Sequence, residues 1–399
     1  MEGTAHRWAS PGELVAYALP PGFHWLEILA AHAQSGASFL PIDVRLSPRE
    51  QRRLIDLARP SVVVRPDEET VLADAAPIDS ERAWAVVATS GTSGEARLVQ
   101  LPRAAIGSAV AASLDALDAS AYDPWVSCLT PAHIGGLLVL LRGVLTGSRI
   151  IVQERFEPGA LLAHAPAGAH VSVVPTMLER LVRGGPDLSA LGAIVVGGGP
   201  LDPALRAAAS GLGGRIVSTY GCAETCGGIV YDGVPFEGTR LRIDADKPDA
   251  VGGIEVQGPT LMDGYRADPA ATAEAFAVDG WLRTGDLGWL DSDRLHVLGR
   301  ADDAIRTGAE TVWPEEVEAA LATHPKVTDV AVAGRPDPEW GQHVVAWVVP
   351  HDPTDPPTLE QLREHCRDTL ARFKAPRDVR LLTALPRTTN GKVRRAALH

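Results

Sequence analysis

The stretch "SFLPIDVRLSPREQRRLIDLARPSVVV", residues 38–64, decides the fold class. It opens with a short apolar run, "SFLPI", that reads as a strand, and it closes with another, "SVVV". Between them lies "SPREQRRLIDLA". Ser47 is a helix cap there, Pro48 takes the first helical position, and Glu50 is placed to close a capping box. Strand, helix and strand with short links point to α/β layers around a mostly parallel sheet. The pattern extends both ways. Upstream, "HWLEILAAHAQSGA" puts Trp25, Ile28 and Leu29 on one helical face and stops at Gly36. Downstream, "WVSCLT", "RIIVQ", "VSVVP", "AIVVGGGP" and "RIVSTYG" read as strands, with helices in the segments before and between them.

After about residue 235 the texture changes. Short strands, Gly turns and Asp-Gly pairs dominate, as in "VGGIEVQGPTLMDGY" and "DGWLRTGDLGWLDSDRLHVLGR". Beyond residue 302 a small α+β pattern follows, with helices in "PEEVEAALATH" and "TLEQLREHCRDTLA" and strands in "VTDVAVAG" and "HVVAWVVP". The expected domains are 1–299, with a small β-rich part at about 235–299, and 300–399. A chain of 399 residues with 45% apolar residues supports a large core in more than one domain. Its net charge of −13, with no long block of one sign, argues against a nucleic-acid or anionic-membrane surface. No apolar run of spanning length appears, and "MEGTAHRWASPGEL" does not read as a signal peptide. The four cysteines, Cys128, Cys222, Cys226 and Cys366, are too few and too scattered for a disulfide framework, so the cytoplasm is the expected compartment.

Four loops carry chemistry. In "VVATSGTSGEARLV" an apolar run gives way to Thr89, Ser90, Gly91, Thr92, Ser93 and Gly94, followed by Arg97. Hydroxyls and Gly amides cradle anions, and the arginine adds charge. The spacing is not that of a Walker A loop, and taken alone such a cluster is an ordinary surface turn. In "STYGCAETCGG", Tyr220 offers a ring for a planar base and Glu224 a carboxylate of the kind Mg²⁺ takes. In "GWLRTGDLGWL", Asp286 between two glycines can accept hydrogen bonds from ribose hydroxyls. In "LPRTTNGKVRR", Lys392 follows the Asn390-Gly391 turn signal, inside a stretch from Arg372 to Arg395 with eight basic residues and the single acid Asp378.

The order of these pieces resembles the ANL superfamily of adenylate-forming enzymes: acyl-CoA synthetases, adenylation domains of peptide synthetases, and luciferases. The matching residues are Thr89–Gly94, then Tyr220-Gly221-Cys222-Ala223-Glu224, Thr284-Gly285-Asp286, Gly299-Arg300-Ala301-Asp302-Asp303, and Asn390-Gly391-Lys392. The likeness runs from about residue 12 to the end. The short chain, with "SCLTPAHIGGLLVLLRGVLTGS" and "GRADDAIRTGAETVWPEEVEAAL", looks most like the actinobacterial branch that acts on o-succinylbenzoate in menaquinone biosynthesis.

The resemblance implies an α/β N-terminal domain with layered parallel-rich sheets and a small mobile α+β C-terminal domain. It implies ATP, Mg²⁺ and CoA, with an acyl-adenylate made first and a thioester second. The Thr/Ser/Gly loop and Arg97 would hold the β- and γ-phosphates, and Glu224 the metal. Gly197, Gly198, Gly199, Tyr220 and Gly221 would frame the nucleotide. Asp286 would bind ribose, with Arg300 nearby. Lys392 would bridge carboxylate and α-phosphate. Asp302 would be the hinge, after which Gly308 and Glu310 enter the site for the second step. His133, between a strand and a Gly-rich helix start, would face the acyl group, and Pro175 and Thr176 would line part of the pocket. Many members form dimers, so a homodimer is expected.

The chain departs from the usual pattern at three places. Ala96-Arg97-Leu98 stands where Pro-Lys-Gly is usual, Ala223 where Thr or Ser is usual, and Gly308-Ala309-Glu310-Thr311 where Gly-Gly-Glu-Asn is common. Two other functions fit the same residues. One is adenylation of another aryl or fatty acid with CoA or a carrier-protein thiol as acceptor. The other is nucleotide binding without catalysis, against which Glu224, Asp286 and Lys392 are all retained.

Overall fold

The computed structural model describes residues 10–90, 96–245, 250–308, 310–367, 369–388, 391 and 393–398. Its contacts divide the chain into two compact units. The first takes in residues up to Leu241 together with Val256–Leu282, and the second Arg242–Glu255 together with Arg283–His399.

The first unit holds two seven-stranded sheets. One is built from β1 (Leu14–Tyr17), β2 (Ser38–Pro41), β3 (Val62–Arg65), β4 (Glu68–Val71), β5 (Ala85–Ser90) and β6 (Ala96–Leu101), with the two-residue strand Gly264–Tyr265 on the β6 edge. β1 pairs in parallel with both β2 and β3. The two strands of the opening stretch are therefore not neighbours, because the first strand of the fold lies between them. The helix joining them, Pro48–Ala58, has the expected cap: Ser47 Oγ accepts from Glu50 N, and Glu50 Oε2 accepts from Ser47 N. The helix His24–Ser35 ends at Gly36 in the left-handed conformation, with Trp25, Ile28 and Leu29 buried. Here the local expectations hold, since caps and apolar stripes depend on near neighbours.

The other sheet contains β7 (Trp125–Ser127), β8 (Ile150–Val152), β9 (His170–Val173), β10 (Ala193–Val196), β11 (Arg215–Cys222), β12 (Gly227–Tyr231) and β13 (Val234–Pro235), in the order β13-β12-β11-β10-β9-β7-β8. β7 to β11 are parallel, and β12 returns antiparallel. The helix Ile134–Thr146 is buried from Gly136 through Arg142 and packs against two other helices as well as β7 and β12. A helix apolar on all sides belongs in an interior.

The change of texture near residue 235 is not a clean break in structure. Tyr265 pairs with Val99 and Gly264 with Gln100, so residues 264–265 belong to the first sheet. Arg266 anchors them. It is 6% exposed and donates from Nε to Ala58 O at 2.6 Å and from Nη2 to Ala76 O at 2.9 Å.

In the second unit, a five-stranded sheet is built from Ile305–Thr307, Glu310–Val312, Val327–Asp337, Gly341–Pro350 and Asp378–Leu381. Strand alternation fills both of its faces. Val332, Val344, Ala346 and Val348 meet Val317, Leu321 and Leu362, while Ala331, Val345 and Trp347 meet Leu385 and Leu398. The unit also holds most of a four-stranded sheet whose last two strands are Leu282–Asp291 and Arg294–Arg300. Among the described residues, no helix is long and apolar enough to cross a membrane.

Removing the Arg266 anchor should be costly, because the buried Ala58 carbonyl and the half-buried Ala76 carbonyl lose these donors. Arg266→Met is expected to destabilise the first unit by about 2–4 kcal/mol, read as a lower urea midpoint at unchanged slope.

Candidate active site

The parallel strands β9, β10 and β11 end side by side, and their following residues are the ones picked out by sequence. β9 leads to Pro175 and Thr176, β10 to Gly197–Gly199, and β11 carries Tyr220 and Gly221 into the Glu224 turn. Crevices beyond the carboxyl ends of such strands are the usual ligand sites of α/β sheets. The glycines have steric reasons. A Cβ at Gly197 would sit 2.6 Å from Thr219 Oγ1. One at Gly221 would sit 1.9 Å from Gly227 O, and the backbone there has φ +157. That close approach lets the chain turn through Ala223–Thr225 and come back as β12. Thr225, fully buried, fastens the turn: its Oγ1 accepts from Cys222 N at 2.9 Å and donates to Gly227 O at 2.8 Å.

Glu224 is half-buried on this turn. Tyr265 donates its hydroxyl to Glu224 Oε1 at 3.0 Å, and the Arg97 guanidinium lies over the Tyr265 ring at 5.2 Å. Burial, and then the Glu224 charge, push the Tyr265 hydroxyl well above its ordinary pKa, so it stays a donor. Arg97 pairs with Thr89 across the β5–β6 ladder. Thus the Thr89–Arg97 hairpin and Glu224, more than 120 residues further on, are joined by a tyrosine that the motifs did not single out. Its segment, "MDGYRAD", carries no local signal of this contact. Gly91, Thr92, Ser93, Gly94 and the Ser90 side chain lie outside the described residues.

His133 caps the helix Ile134–Thr146 at the end of the loop that follows β7. Its Nε2 lies 3.5 Å from Asp43 Oδ2, a distance for an ion pair and too long for a good hydrogen bond. Asp43 is 4% exposed and is gripped by Arg45, with Nε to Oδ1 at 2.9 Å and Nη2 to Oδ2 at 2.7 Å. Burial alone would raise the Asp43 pKa, but the His133 and Arg45 contacts outweigh it and hold the carboxyl below the usual range.

In the second unit, Asp286 and Arg300 face each other across Leu282–Asp291 and Arg294–Arg300, with Nη1 to Oδ1 at 3.3 Å. Arg300 also donates to Thr284 O at 2.9 Å, and Asp286 N donates to Thr284 Oγ1 at 3.2 Å. Asp302 is exposed in the single turn Ala301–Asp303. Gly308 has φ +64 and donates its amide to Trp340 O at 2.7 Å, while Glu310 pairs with Thr307. Ala309, Asn390 and Lys392 lie outside the described residues.

The basic tail is not simply a solvated face. Arg387 pairs with Asp329, Lys374 with Glu316, and Arg395 with three acids: Glu318 at 2.8 Å, Glu315 at 3.2 Å and Asp303 at 3.3 Å. One arginine cannot neutralise three carboxylates. Burial raises the Glu315 pKa from 4.5 to about 7; Arg395 opposes the rise, while Glu318 and Asp303 add to it.

The sequence matches the family model of AMP-binding enzymes over residues 67–266 and that of the AMP-binding enzyme C-terminal domain over residues 316–392. The chain belongs to the AMP-binding enzymes, the adenylate-forming class that its ordered loops resemble. Among curated relatives, a "Probable 2-succinylbenzoate–CoA ligase" of Mycobacterium tuberculosis is 41% identical over 87% of this chain and 92% of its own length. A 2-succinylbenzoate–CoA ligase of Bacillus cytotoxicus is 30% identical over 100% of this chain and 90% of its own. The solved o-succinylbenzoate CoA synthetase of Bacillus subtilis, in complex with its acyl-adenylate intermediate, superposes with a TM-score of 0.87 at 26% identity, covering 98% of this chain and 88% of that one. The same enzyme has been solved with ATP and a magnesium ion, again with a TM-score of 0.87.

Glu315 gives a pH test. Its folded-state pKa is raised, so its stabilising contribution is full below about pH 4.5 and is lost as the pH rises through about 7. Glu315→Gln is therefore expected to be more stable than the unmodified protein at pH 8, by on the order of 2 kcal/mol, and little different at pH 5. Thermal unfolding of both proteins at the two pH values checks it.

Proposed function

We propose that this protein is an ATP- and CoA-dependent acid–thiol ligase whose acid is o-succinylbenzoate. The observation that carries the chemistry is the Glu224 carboxylate, held by Tyr265 beside Arg97 at the carboxyl end of a parallel sheet. The acid is supported by the extent of likeness to relatives named for that substrate, which spans 87% of the chain for the mycobacterial protein.

In this proposal a carboxylate oxygen of the acid attacks the α-phosphorus of ATP and pyrophosphate leaves. The CoA sulfur then attacks the acyl carbon, and AMP leaves with the oxygen it gained. Thr89, Ser90, Gly91, Thr92, Ser93, Gly94 and Arg97 hold the β- and γ-phosphates. Glu224 fits Mg²⁺, being a half-buried, acceptor-only oxygen donor, and the ion would offset phosphate charge. Gly197, Gly198, Gly199, Tyr220 and Gly221 frame the nucleotide. Asp286 accepts from ribose hydroxyls, and Arg300, 3.3 Å away, orients it. Lys392 places a positive charge between the acid and the α-phosphate, where charge builds during transfer. His133 lies against the acyl group.

The same reading makes 1–299 and 300–399 the working domains and Asp302 the hinge between the two steps, after which Gly308 and Glu310 serve thioester formation. Few residues are needed for such a hinge. The ligase would act in the cytoplasm, where ATP and CoA are available, and would assemble as a homodimer; that assembly rests on the resemblance alone.

The test is mass spectrometry of a reaction with ATP, Mg²⁺, CoA and o-succinylbenzoate, with benzoate and medium-chain fatty acids in parallel. The expected products are o-succinylbenzoyl-CoA and AMP. Lys392→Ala should lower adenylate formation by roughly 10²–10³-fold, as loss of a single electrostatic donor does, while sparing thioester formation from a supplied adenylate. Pyrophosphate without a CoA thioester would point to another acceptor. No AMP with any acid would favour the binding-only reading.

A further inference from the structure

His133 is held in an uneven way. Its Nε2 is sealed from solvent with no good hydrogen bond among the described residues, yet the side chain is 30% exposed. The accessible part of the side chain therefore lies away from Nε2. The group facing the sealed nitrogen is Asp43, from the segment that follows β2, 90 residues away in sequence. Asp43 is itself fixed by three donors of Arg45: the backbone amide at 2.9 Å, Nε and Nη2. A buried carboxylate fixed this firmly sets the orientation of an imidazole, because the partner of one ring nitrogen decides what the other can do.

We propose that Asp43 is a positioning residue for adenylation: it holds His133 with Nε2–H directed inward and presents the Nδ1 edge to the acid. The proposal rests on the reading of His133 as an acyl-pocket residue. It also accounts for Arg45, half-exposed itself yet spending three donors on one buried acid. The 3.5 Å separation fits a contact that closes when substrate fills the pocket, since such bonds are often long in the free enzyme. Asp43 touches no reacting atom in this scheme; it acts only through His133.

The test is a double-mutant cycle read by acid-dependent exchange of labelled pyrophosphate into ATP, using o-succinylbenzoate, ATP and Mg²⁺. Asp43→Asn is expected to lower kcat/KM for the acid by about 10- to 100-fold while KM for ATP stays within about twofold. In a His133→Ala background, Asp43→Asn should change kcat/KM by less than about twofold, because its route of action is gone. An equal loss in both backgrounds, or a parallel rise in KM for ATP, overturns the proposal. A second measurement reads the unmodified protein directly and uses a variant only for assignment. Nitrogen-15 NMR of the unmodified protein at pH 8, with His133 assigned by its loss in His133→Ala, should show the neutral tautomer protonated at Nε2. Protonation at Nδ1 would contradict the proposal. If no acid supports exchange, the functional reading fails, and the tautomer still decides whether Asp43 orients His133.

Discussion

The close approach of Gly221 to the Gly227 carbonyl is the constraint on which the rest of the site depends. With no Cβ at residue 221, the backbone of β11 passes near enough to its own return strand to form the Ala223–Thr225 turn. That turn lifts Glu224 to the carboxyl end of the parallel sheet, within reach of Tyr265. Tyr265 reaches Glu224 because its two-residue strand pairs with β6, and that strand is followed at once by the buried Arg266. A steric condition at one glycine, an edge pairing and a buried guanidinium together set where one carboxylate and one arginine lie.

Electrostatics works alongside this geometry by the same physical route, burial of charge beside chosen partners. Asp43 is kept ionised because Arg45 and His133 more than offset the cost of its burial. Glu315 shows the opposite balance: its burial, with Glu318 and Asp303 nearby, exceeds what Arg395 returns. The two carboxylates are almost equally hidden from a sequence reader. They differ in how many acids share each arginine.

What sequence could and could not reveal follows from the range of each signal. The Ser47–Glu50 box, the Gly36 stop and the apolar strands are legible because each depends on residues a few positions away. The candidate loops are legible as chemistry, and their order points to the family. The contacts that join them are not: Tyr265 to Glu224 spans 41 residues and Arg395 to Asp303 spans 92. Nothing in "MDGYRAD" distinguishes a tyrosine that bridges two motifs from one on a β-rich surface. The partners of the basic stretch from Arg372 to Arg395 are hidden for the same reason, since the acids that pair with Lys374, Arg387 and Arg395 come from other elements. The order of sheet strands is hidden as well. Residues 38–64 read as two strands and a helix, but the strand that separates the two comes earlier in the chain.

The central claim is that an acid oxygen attacks the α-phosphorus of ATP. The measurement that tests it most directly is oxygen transfer, with o-succinylbenzoate labelled with oxygen-18 in both carboxylates and the nucleotide product weighed by mass spectrometry. The account predicts AMP carrying one heavy oxygen, formed together with the CoA thioester. Unlabelled AMP, or ADP with the label in inorganic phosphate, would contradict it.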